Sequence, residues 1–222
     1  MKTTSERLFD PALLFRLQLR PVALDLPFGQ QEWTLPPEAE LPNTGVSISG
    51  QKNIASLKLA VSDTGLFLYA HVQGKRQLPW CRESRLEDSD GLHIWLDTRN
   101  ARDLHRATRF CHRFVFAPMG RGAKSEQPFA GWAPIHRARE NSRPPSEKLL
   151  FARSELEPNG YQLWAALHWQ ALTGFDRADF PVLGFYAAVV DRELGWQSLG
   201  LGPPLPVVED PSLWCEMALN PA

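Results

Sequence analysis

The sequence predicts an all-β protein: an antiparallel two-sheet β-sandwich with immunoglobulin-like or jelly-roll-like layering and few or no major helices. Residues 90–97 and 160–169 both alternate apolar with polar or aromatic side chains, which is typical of strands with two distinct faces. The 19 prolines and 15 glycines suit many short strands joined by turns. No segment sustains a helical period, so the strands are expected to form two packed sheets.

The clearest hairpin lies at residues 56–73, where two alternating strands are joined by a turn at Asp63-Thr64-Gly65. Strands are also predicted at 92–97 and 109–117, as antiparallel neighbours. The other predicted elements are, in chain order, a short strand at 15–19, a proline-rich surface loop at 27–45, a long loop at 118–147, a hairpin of 149–156 and 161–168, one helical turn at 169–172, and strands at 185–191, 197–199 and 213–219.

The two alternating strands each have one plainly apolar face and one aromatic face. In 92–97, Leu92, Ile94 and Leu96 share a face opposite His93, Trp95 and Asp97. In 161–168, the face of Tyr161, Leu163, Ala165 and Leu167 is opposite that of Gln162, Trp164, Ala166 and His168. A face with Trp and His in place of Lys and Glu either packs under a second apolar layer or binds a ligand.

Size and charge limit the classes of function. The 222 residues are expected to form a single domain, 1–222, with a core at 51–220 and with an N-terminal strand and proline-rich loop, 1–50, packed on it. The net charge of -1 provides no global field for nucleic acid or for a membrane surface, so neither is expected as a partner.

The cysteines and the N-terminus predict a cytoplasmic location. Cys81, Cys111 and Cys215 are odd in number and far apart, which argues against a disulfide framework and for a reducing compartment. Residues 1–11 lack the apolar core of a signal peptide, and no run of residues approaches membrane-spanning length.

Four segments follow one another in a distinctive order: 66–72, 90–97, 160–169, and 184–191 followed by Gly195-Trp196. In this order they resemble the family 9 carbohydrate-binding modules and the wider group of DOMON-like sandwich domains. The matching features run from about Leu57 to Leu219 and so cover most of the chain.

The resemblance implies a non-catalytic domain that recognises a sugar or glycan fragment at one end of the sandwich. In such modules two loop tryptophans clasp a sugar ring, and the corresponding positions here are Trp80 and Trp196. It also implies structural calcium as a cofactor. The sequence departs from the pattern at His93, where the modules usually carry an acid, and at 74–77, where Gly-Lys-Arg-Gln replaces the usual acids.

Each tryptophan has an alternative interpretation. Trp80 and Trp196 either contact a ligand or close an end of the sandwich, and Trp132, in the predicted long loop, is a third candidate contact. Trp164 and Trp169 lie at strand spacing, where core packing is the commoner use.

A basic cluster lies beside the predicted 109–117 strand. Residues 99–113 hold five arginines and two histidines against a single acid, Asp103, and such a cluster can grip carboxylate, sulfate or phosphate. Arg109 and Arg113 are expected on the opposite face from His112, beside His93 or Trp95. The alternative is that these arginines only pair with acids of the neighbouring strand, Asp88, Asp90 and Asp97.

The predicted ligand-binding set is therefore Trp80, His93, Trp95, Arg109, Arg113 and Trp196. A structural or regulatory domain that meets a protein partner through its aromatic face is the alternative function. His93, His105 and Cys111 form a weaker hypothesis of a metal or cofactor site, although Cys111 and His112 must point to opposite faces of a strand.

Catalysis has little support in the sequence. No Gly-x-Ser-x-Gly motif and no phosphate-binding loop occurs. Asp191 and Glu193 are close together, but a glycosidase needs two carboxylates that face one bond at a defined separation. We therefore expect no enzyme activity, and a carbohydrate or other small polar ligand as the partner.

Overall fold

The computed structural model describes residues 18–219, and its strands form two packed sheets. The one α-helix in this range, α1 (Thr44–Ser49), has a single short run of six residues. The strands of the described range are β1 (Gln18–Leu19), β2 (Val22–Ala23), β3 (Ala55–Val61), β4 (Gly65–Gln73), β5 (Gly91–Asp97), β6 (Cys111–Arg121), β7 (Gln127–Ala133), β8 (Leu150–Glu157), β9 (Gly160–His168), β10 (Val182–Asp191), β11 (Gly195–Ser198) and β12 (Cys215–Ala218).

The sheet topology confirms the predicted all-β two-sheet sandwich. Within residues 18–219, one sheet has seven strands in the order β1-β12-β10-β5-β6-β7, with β11 paired to the second half of β10. The other has five strands, β2-β3-β4-β9-β8. The β1–β12 and β2–β3 pairs are parallel, and the other pairs are antiparallel. As predicted, β5 and β6 are antiparallel neighbours, and Trp95 lies opposite Arg113.

The core lies between the sheets, and the predicted face assignments are correct. Leu92, Ile94 and Leu96 of β5 pack in one buried cluster with Tyr161 and Leu163 of β9. Their side chains are almost fully removed from water, which is the main favourable contribution to folding.

The outer faces of both sheets are covered by further apolar layers. On the five-stranded sheet, Trp164 packs with Trp33 and Leu35 of the predicted proline-rich loop. On the seven-stranded sheet, Trp95 packs with Val207 and Trp214 of the long connection between β11 and β12. Of the two uses that the aromatic faces allowed, a second apolar layer is the one observed for Trp95 and Trp164.

In residues 109–147 one predicted strand has different bounds, and the prediction of a long loop at 118–147 is wrong. The predicted strand at 109–117 in fact begins at Cys111 and extends to Arg121, and the predicted long loop contains the whole of β7. Pro118 and a register shift interrupt the alternation of β6. Gly131 interrupts the sequence pattern by which β7 could have been predicted. The glycine has a packing reason, because a Cβ at this position would lie 2.6 Å from Leu86 Cδ2.

At the N-terminus, only Gln18–Leu19 of the strand predicted at 15–19 falls within the described residues, and it pairs with β12. Residues 15–17 lie outside the described range. In the part of the chain that is described, no helix has the length and apolar character needed to cross a membrane.

Candidate binding cleft at one end of the sandwich

The candidate site lies where β4 and β10 end and β5 begins. Trp80 belongs to the segment that joins β4 to β5, and its backbone is tied to Asp90, the residue before β5. The Trp80 N–H donates to Asp90 Oδ2 at 2.8 Å, and the Asp90 N–H donates to the Trp80 carbonyl at 2.8 Å. These two bonds hold the partly buried Trp80 beside the start of β5, an interior strand of the seven-stranded sheet.

A cleft of about 380 Å³ opens beside Trp80. It combines an indole with charged and amide groups, a mixture typical of sites for small polar ligands. Its lining residues are Lys75, Gln77, Leu78, Pro79, Trp80, Asp90, Arg192 and Glu193.

Three arginines lie over the Trp80 ring. The most distant, Arg85, has its guanidinium carbon 5.9 Å from the ring centroid and pairs with Asp88. The guanidinium carbon of Arg192 is 4.6 Å from the ring centroid, and that of Arg82 is 5.2 Å away, which are cation–π distances. Within residues 18–219, neither guanidinium has a carboxylate partner or a protein acceptor. Their N–H groups are therefore available to the oxygen atoms of a ligand.

The floor of the cleft is a buried ammonium group with three carboxylates around it. The Lys75 side chain is 3% exposed, and its Nζ lies 2.6 Å from Asp191 Oδ2 and 3.5 Å from Asp90 Oδ2. Glu193 Oε2 is 3.7 Å away. A buried charge is tolerated only with such partners, because the free-energy cost of removing it from water exceeds the gain from a single weak contact.

The same three carboxylates accept backbone N–H groups from both sides of the cleft. Asp90 Oδ1 accepts from Arg192 at 2.8 Å, and Asp191 Oδ1 accepts from Leu194 at 2.8 Å. Glu193 accepts from the N–H groups of residues 76 and 77. Burial raises the pKa of Asp90 above its usual value, although these donors act in the opposite direction.

Trp196, the second predicted clasp residue, is on β11 and packs on Trp95, with 6.2 Å between the ring centroids. It is partly buried, like Trp80, but the cleft beside Trp80 is lined without it. A clasp of one ring between Trp80 and Trp196 is therefore not formed in this structure. Whether either tryptophan contacts a sugar stays a prediction.

His93 and Trp95 need correction as ligand contacts. Both are 0% exposed, so neither offers a surface to a ligand. For Trp95 the physical reason is the connection between β11 and β12, which folds back over this face and packs Val207 and Trp214 in one buried cluster with the ring. His93 is enclosed through its hydrogen bonds to the Ser89 carbonyl and to Arg113. Sequence alternation placed Trp95 on the correct face but could not show that the chain covers that face itself.

Arg113 lies beside His93 and Trp95, as predicted. Its Nη2 donates to His93 Nδ1 at 3.2 Å and to the Glu87 carbonyl at 3.1 Å, and its guanidinium carbon is 5.1 Å from the Trp95 ring centroid. The alternative, that it pairs with Asp88, Asp90 or Asp97, is wrong among the described residues, where its acceptors are a ring nitrogen and a carbonyl. Burial lowers the pKa of Arg113 to about 10.

His93 is held as a neutral ring. Its Nε2–H donates to the Ser89 carbonyl at 2.9 Å, which leaves Nδ1 to accept from Arg113. Burial first, and the Arg113 charge second, lower the pKa of His93 to about 3. The neutral, hydrogen-bonded ring therefore has a packing role beside Trp95, and the two ring centroids are 6.0 Å apart.

The predicted placement of Arg109 is wrong. This residue precedes β6, is exposed, and lies over the Phe110 ring at 5.1 Å instead of on the strand face with Arg113. It is not among the residues that line the cleft beside Trp80.

The weak metal candidates do not come together. His93 is fully buried, whereas the His105 side chain is 76% exposed and hydrogen bonds to Asp210 at 3.1 Å. Burial raises the pKa of the Cys111 thiol to about 12, so it remains protonated. In residues 18–219, no group of three or more His, Cys, Asp or Glu side chains is arranged to hold a metal ion.

The structural calcium that the family resemblance implies does not fit these residues. Calcium takes six to eight oxygen ligands. At the point where Asp90, Asp191 and Glu193 converge, the Lys75 ammonium already fills the space between the oxygens.

The other tryptophans are structural. Trp164 is 7% exposed, and Trp169 donates its indole N–H to the Ser62 carbonyl at 3.0 Å, so the predicted packing role of both is confirmed. Trp132 lies on β7 and not in a loop, and its indole N–H donates to Ser142 Oγ at 3.0 Å.

Sequence reasoning missed Lys75, Arg192 and Asp90 as parts of the cleft. The available signal was a charged residue near the end of each strand that ends here, at 75 and at 191–193, with Asp90 directly before the strand that begins here. No local pattern could show that these three points of the chain meet.

A second cleft, of about 400 Å³, lies between His105, Arg106, Arg137, Pro206, Glu209 and Asp210. Each of its two acids has a histidine partner, since Asp210 lies 3.1 Å from His105, and Glu209 lies 2.8 Å from His136, a residue outside the lining. Its lining contains no aromatic side chain other than His105, in contrast to the cleft beside Trp80.

Comparison with known proteins gives a match in structure and none in sequence. No protein-family model matches the chain, and no curated protein matches it. A family 9 carbohydrate-binding module from Caldicellulosiruptor kristjanssonii in complex with cellotriose is similar, with a TM-score of 0.60, 15% identity, and coverage of 91% of this chain and 93% of that chain.

The same kind of module from that organism, in complex with glucose, gives a TM-score of 0.57 and 15% identity over 92% of this chain and 96% of that chain. A candidate carbohydrate-binding protein from Bacteroides uniformis ATCC 8492 gives a TM-score of 0.60 and 12% identity, with coverage of 92% of this chain and 99% of that chain. At these identities the likeness establishes the fold alone. The chain has the fold of the family 9 carbohydrate-binding modules.

Proposed function

We propose that this protein binds a saccharide in the cleft beside Trp80, as a binding domain and not as an enzyme. The observation that carries the proposal is a partly buried indole beside unpaired guanidinium groups in a cleft of about 380 Å³. The C–H face of a sugar ring packs on an indole, and its hydroxyl groups accept from arginine N–H donors.

Within the cleft the side chains have separate roles. Trp80 provides the stacking surface, while Arg192 and Gln77 provide hydrogen bonds at the open side. Asp90 and Glu193 are occupied by Lys75 and by backbone N–H groups, so they shape the wall in place of gripping the ligand.

The structural neighbours suggest which ligands to test first. Two of them are complexes with cellotriose and with glucose, so neutral gluco-oligosaccharides are the first choice. A cytoplasmic location is part of the proposal and is supported by the free thiols of Cys81, Cys111 and Cys215.

Titration calorimetry with glucose, cellotriose and an acidic oligosaccharide tests the proposal. Trp80→Ala should weaken binding at least about fivefold, because loss of a stacking contact costs on the order of 1 kcal/mol or more. The matched control is Trp196→Ala, which should lower the melting temperature but leave ligand affinity unchanged. Absence of binding by any saccharide, or equal affinity of the wild type and Trp80→Ala, would refute the proposal.

A further inference from the structure

The buried cluster at the floor of the cleft joins the two sheets. Lys75 follows β4, which belongs to the five-stranded sheet. Asp90 directly precedes β5 and Asp191 is the last residue of β10, and these two strands are neighbours in the seven-stranded sheet. The Lys75 ammonium therefore connects interior strands of both layers at this end of the sandwich.

Both ends of Lys75 are fixed in place. Its backbone N–H donates to the Asn159 carbonyl at 2.9 Å, and its Nζ reaches Asp191 Oδ2 at 2.6 Å. An ammonium group has three N–H donors, and three carboxylates lie within 3.7 Å of it. The side chain is 3% exposed, so bulk water and dissolved salt screen these contacts little.

We propose that the Lys75 ammonium is a built-in cation that holds the residues of the cleft in position without a metal ion. It neutralises and bridges three converging carboxylates, which is the role a divalent cation with oxygen ligands performs in other proteins. The proposal is independent of which ligand the cleft binds.

The position of Trp80 depends on this cluster. Asp90 Oδ2 faces Lys75 and also accepts the Trp80 N–H, while Asp90 Oδ1 accepts the Arg192 N–H. Without the ammonium, the buried carboxylates of Asp90 and Asp191 would repel each other and lack a counter-charge. Loss of Lys75 should therefore displace Trp80 and Arg192, whose backbone N–H groups both donate to Asp90. Lys75 is thus a positioning residue.

The test compares the wild type with Lys75→Ala and Lys75→Met. Lys75→Ala removes the charge and leaves room between the carboxylates, whereas Lys75→Met removes the charge but fills the room with a side chain that offers no oxygen ligand. Melting temperature and tryptophan fluorescence are measured for each protein in chelator and at roughly millimolar calcium, a concentration suited to a weak carboxylate site.

Three results are expected. The wild type should give the same melting temperature and spectrum in both conditions, and both variants should melt several degrees lower in chelator. Calcium should then raise the melting temperature of Lys75→Ala, and return its tryptophan spectrum toward that of the wild type, but should do neither for Lys75→Met.

Stabilisation of the wild type by calcium would overturn the proposal, because the cluster would then already use a metal. Variants as stable as the wild type would overturn it too, and so would an equal calcium response of Lys75→Ala and Lys75→Met. If Lys75→Ala cannot fold in chelator, its refolding is tried with calcium. Recovery supports the proposal, and failure in both conditions refutes it. None of these readouts requires a saccharide, so they stand apart from the test of the proposed function.

Discussion

The cleft and the outer face of the seven-stranded sheet contain the same pair of residue types in opposite settings. In the cleft, Arg192 lies 4.6 Å from the ring of the partly buried Trp80. On the outer face, Arg113 lies 5.1 Å from the ring of Trp95, which is 0% exposed. A tryptophan beside an arginine is thus a candidate binding element at one place and part of the packing at the other.

The difference comes from what covers each pair. The connection between β11 and β12 folds over Trp95 and brings Val207 and Trp214 against it. Arg113 accordingly finds its acceptors inside the protein, at His93 and the Glu87 carbonyl. At Trp80 the backbone N–H is bonded to Asp90, and within the described residues the Arg192 guanidinium has no protein acceptor. Residue types alone therefore do not distinguish a binding surface from a second core.

The largest expected effect is a difference in protein stability between substitution of Trp95 and substitution of Trp80. Trp95→Ala should lower the free energy of unfolding by about 3–5 kcal/mol, because a large buried ring leaves a cavity. Trp80→Ala, the matched change in the cleft, should cost less than about 1 kcal/mol. Urea unfolding of both variants measures this difference, and equal losses would show that the two regions are not distinct.

The next effect separates the two arginines named by the sequence. Arg113→Ala should lower the free energy of unfolding by about 2–3 kcal/mol, because it leaves His93 Nδ1 and the Glu87 carbonyl without a donor. Arg109→Ala should stay within about 0.5 kcal/mol, since Arg109 is exposed. A matching loss for Arg109→Ala would contradict its placement, and a loss of saccharide affinity in Arg113→Ala at unchanged stability would return Arg113 to the ligand site.

The smallest effect is a pH dependence of the covered face. The pKa of His93 is lowered to about 3 in the folded state, below its usual value of about 6.5, so its contribution to stability is complete above the usual value and is lost as pH falls toward 3. Between neutral pH and about pH 5.5 this should remove about 1 kcal/mol.

His93→Gln is the control for this pH dependence, because its amide can accept from Arg113 and donate to the Ser89 carbonyl without titrating. The variant should lose stability less steeply over the same range in urea unfolding. It will retain the part due to His112, whose pKa burial lowers to about 4. An unchanged slope in His93→Gln would show that His93 does not titrate as its burial requires.

Local sequence determined the strands and their faces. Alternation is a property of neighbouring residues, so it correctly placed Leu92, Ile94 and Leu96 on the core side of β5 and His93 and Trp95 on the other. It failed at β7, where Gly131 is required by the close approach of Leu86, a contact from a distant part of the chain.

Tertiary structure decided which aromatic face is open and which charges meet. Trp80 could be named as a candidate from its place before a strand, but its cleft depends on Lys75, Asp90 and Asp191, which are brought together only when the two sheets pack. The burial of Trp95 likewise depends on a connection more than a hundred residues further along the chain, at Val207 and Trp214. Side-chain periodicity carries no information about contacts at such separations, because it reports the direction of each side chain from its own strand and not what packs against it.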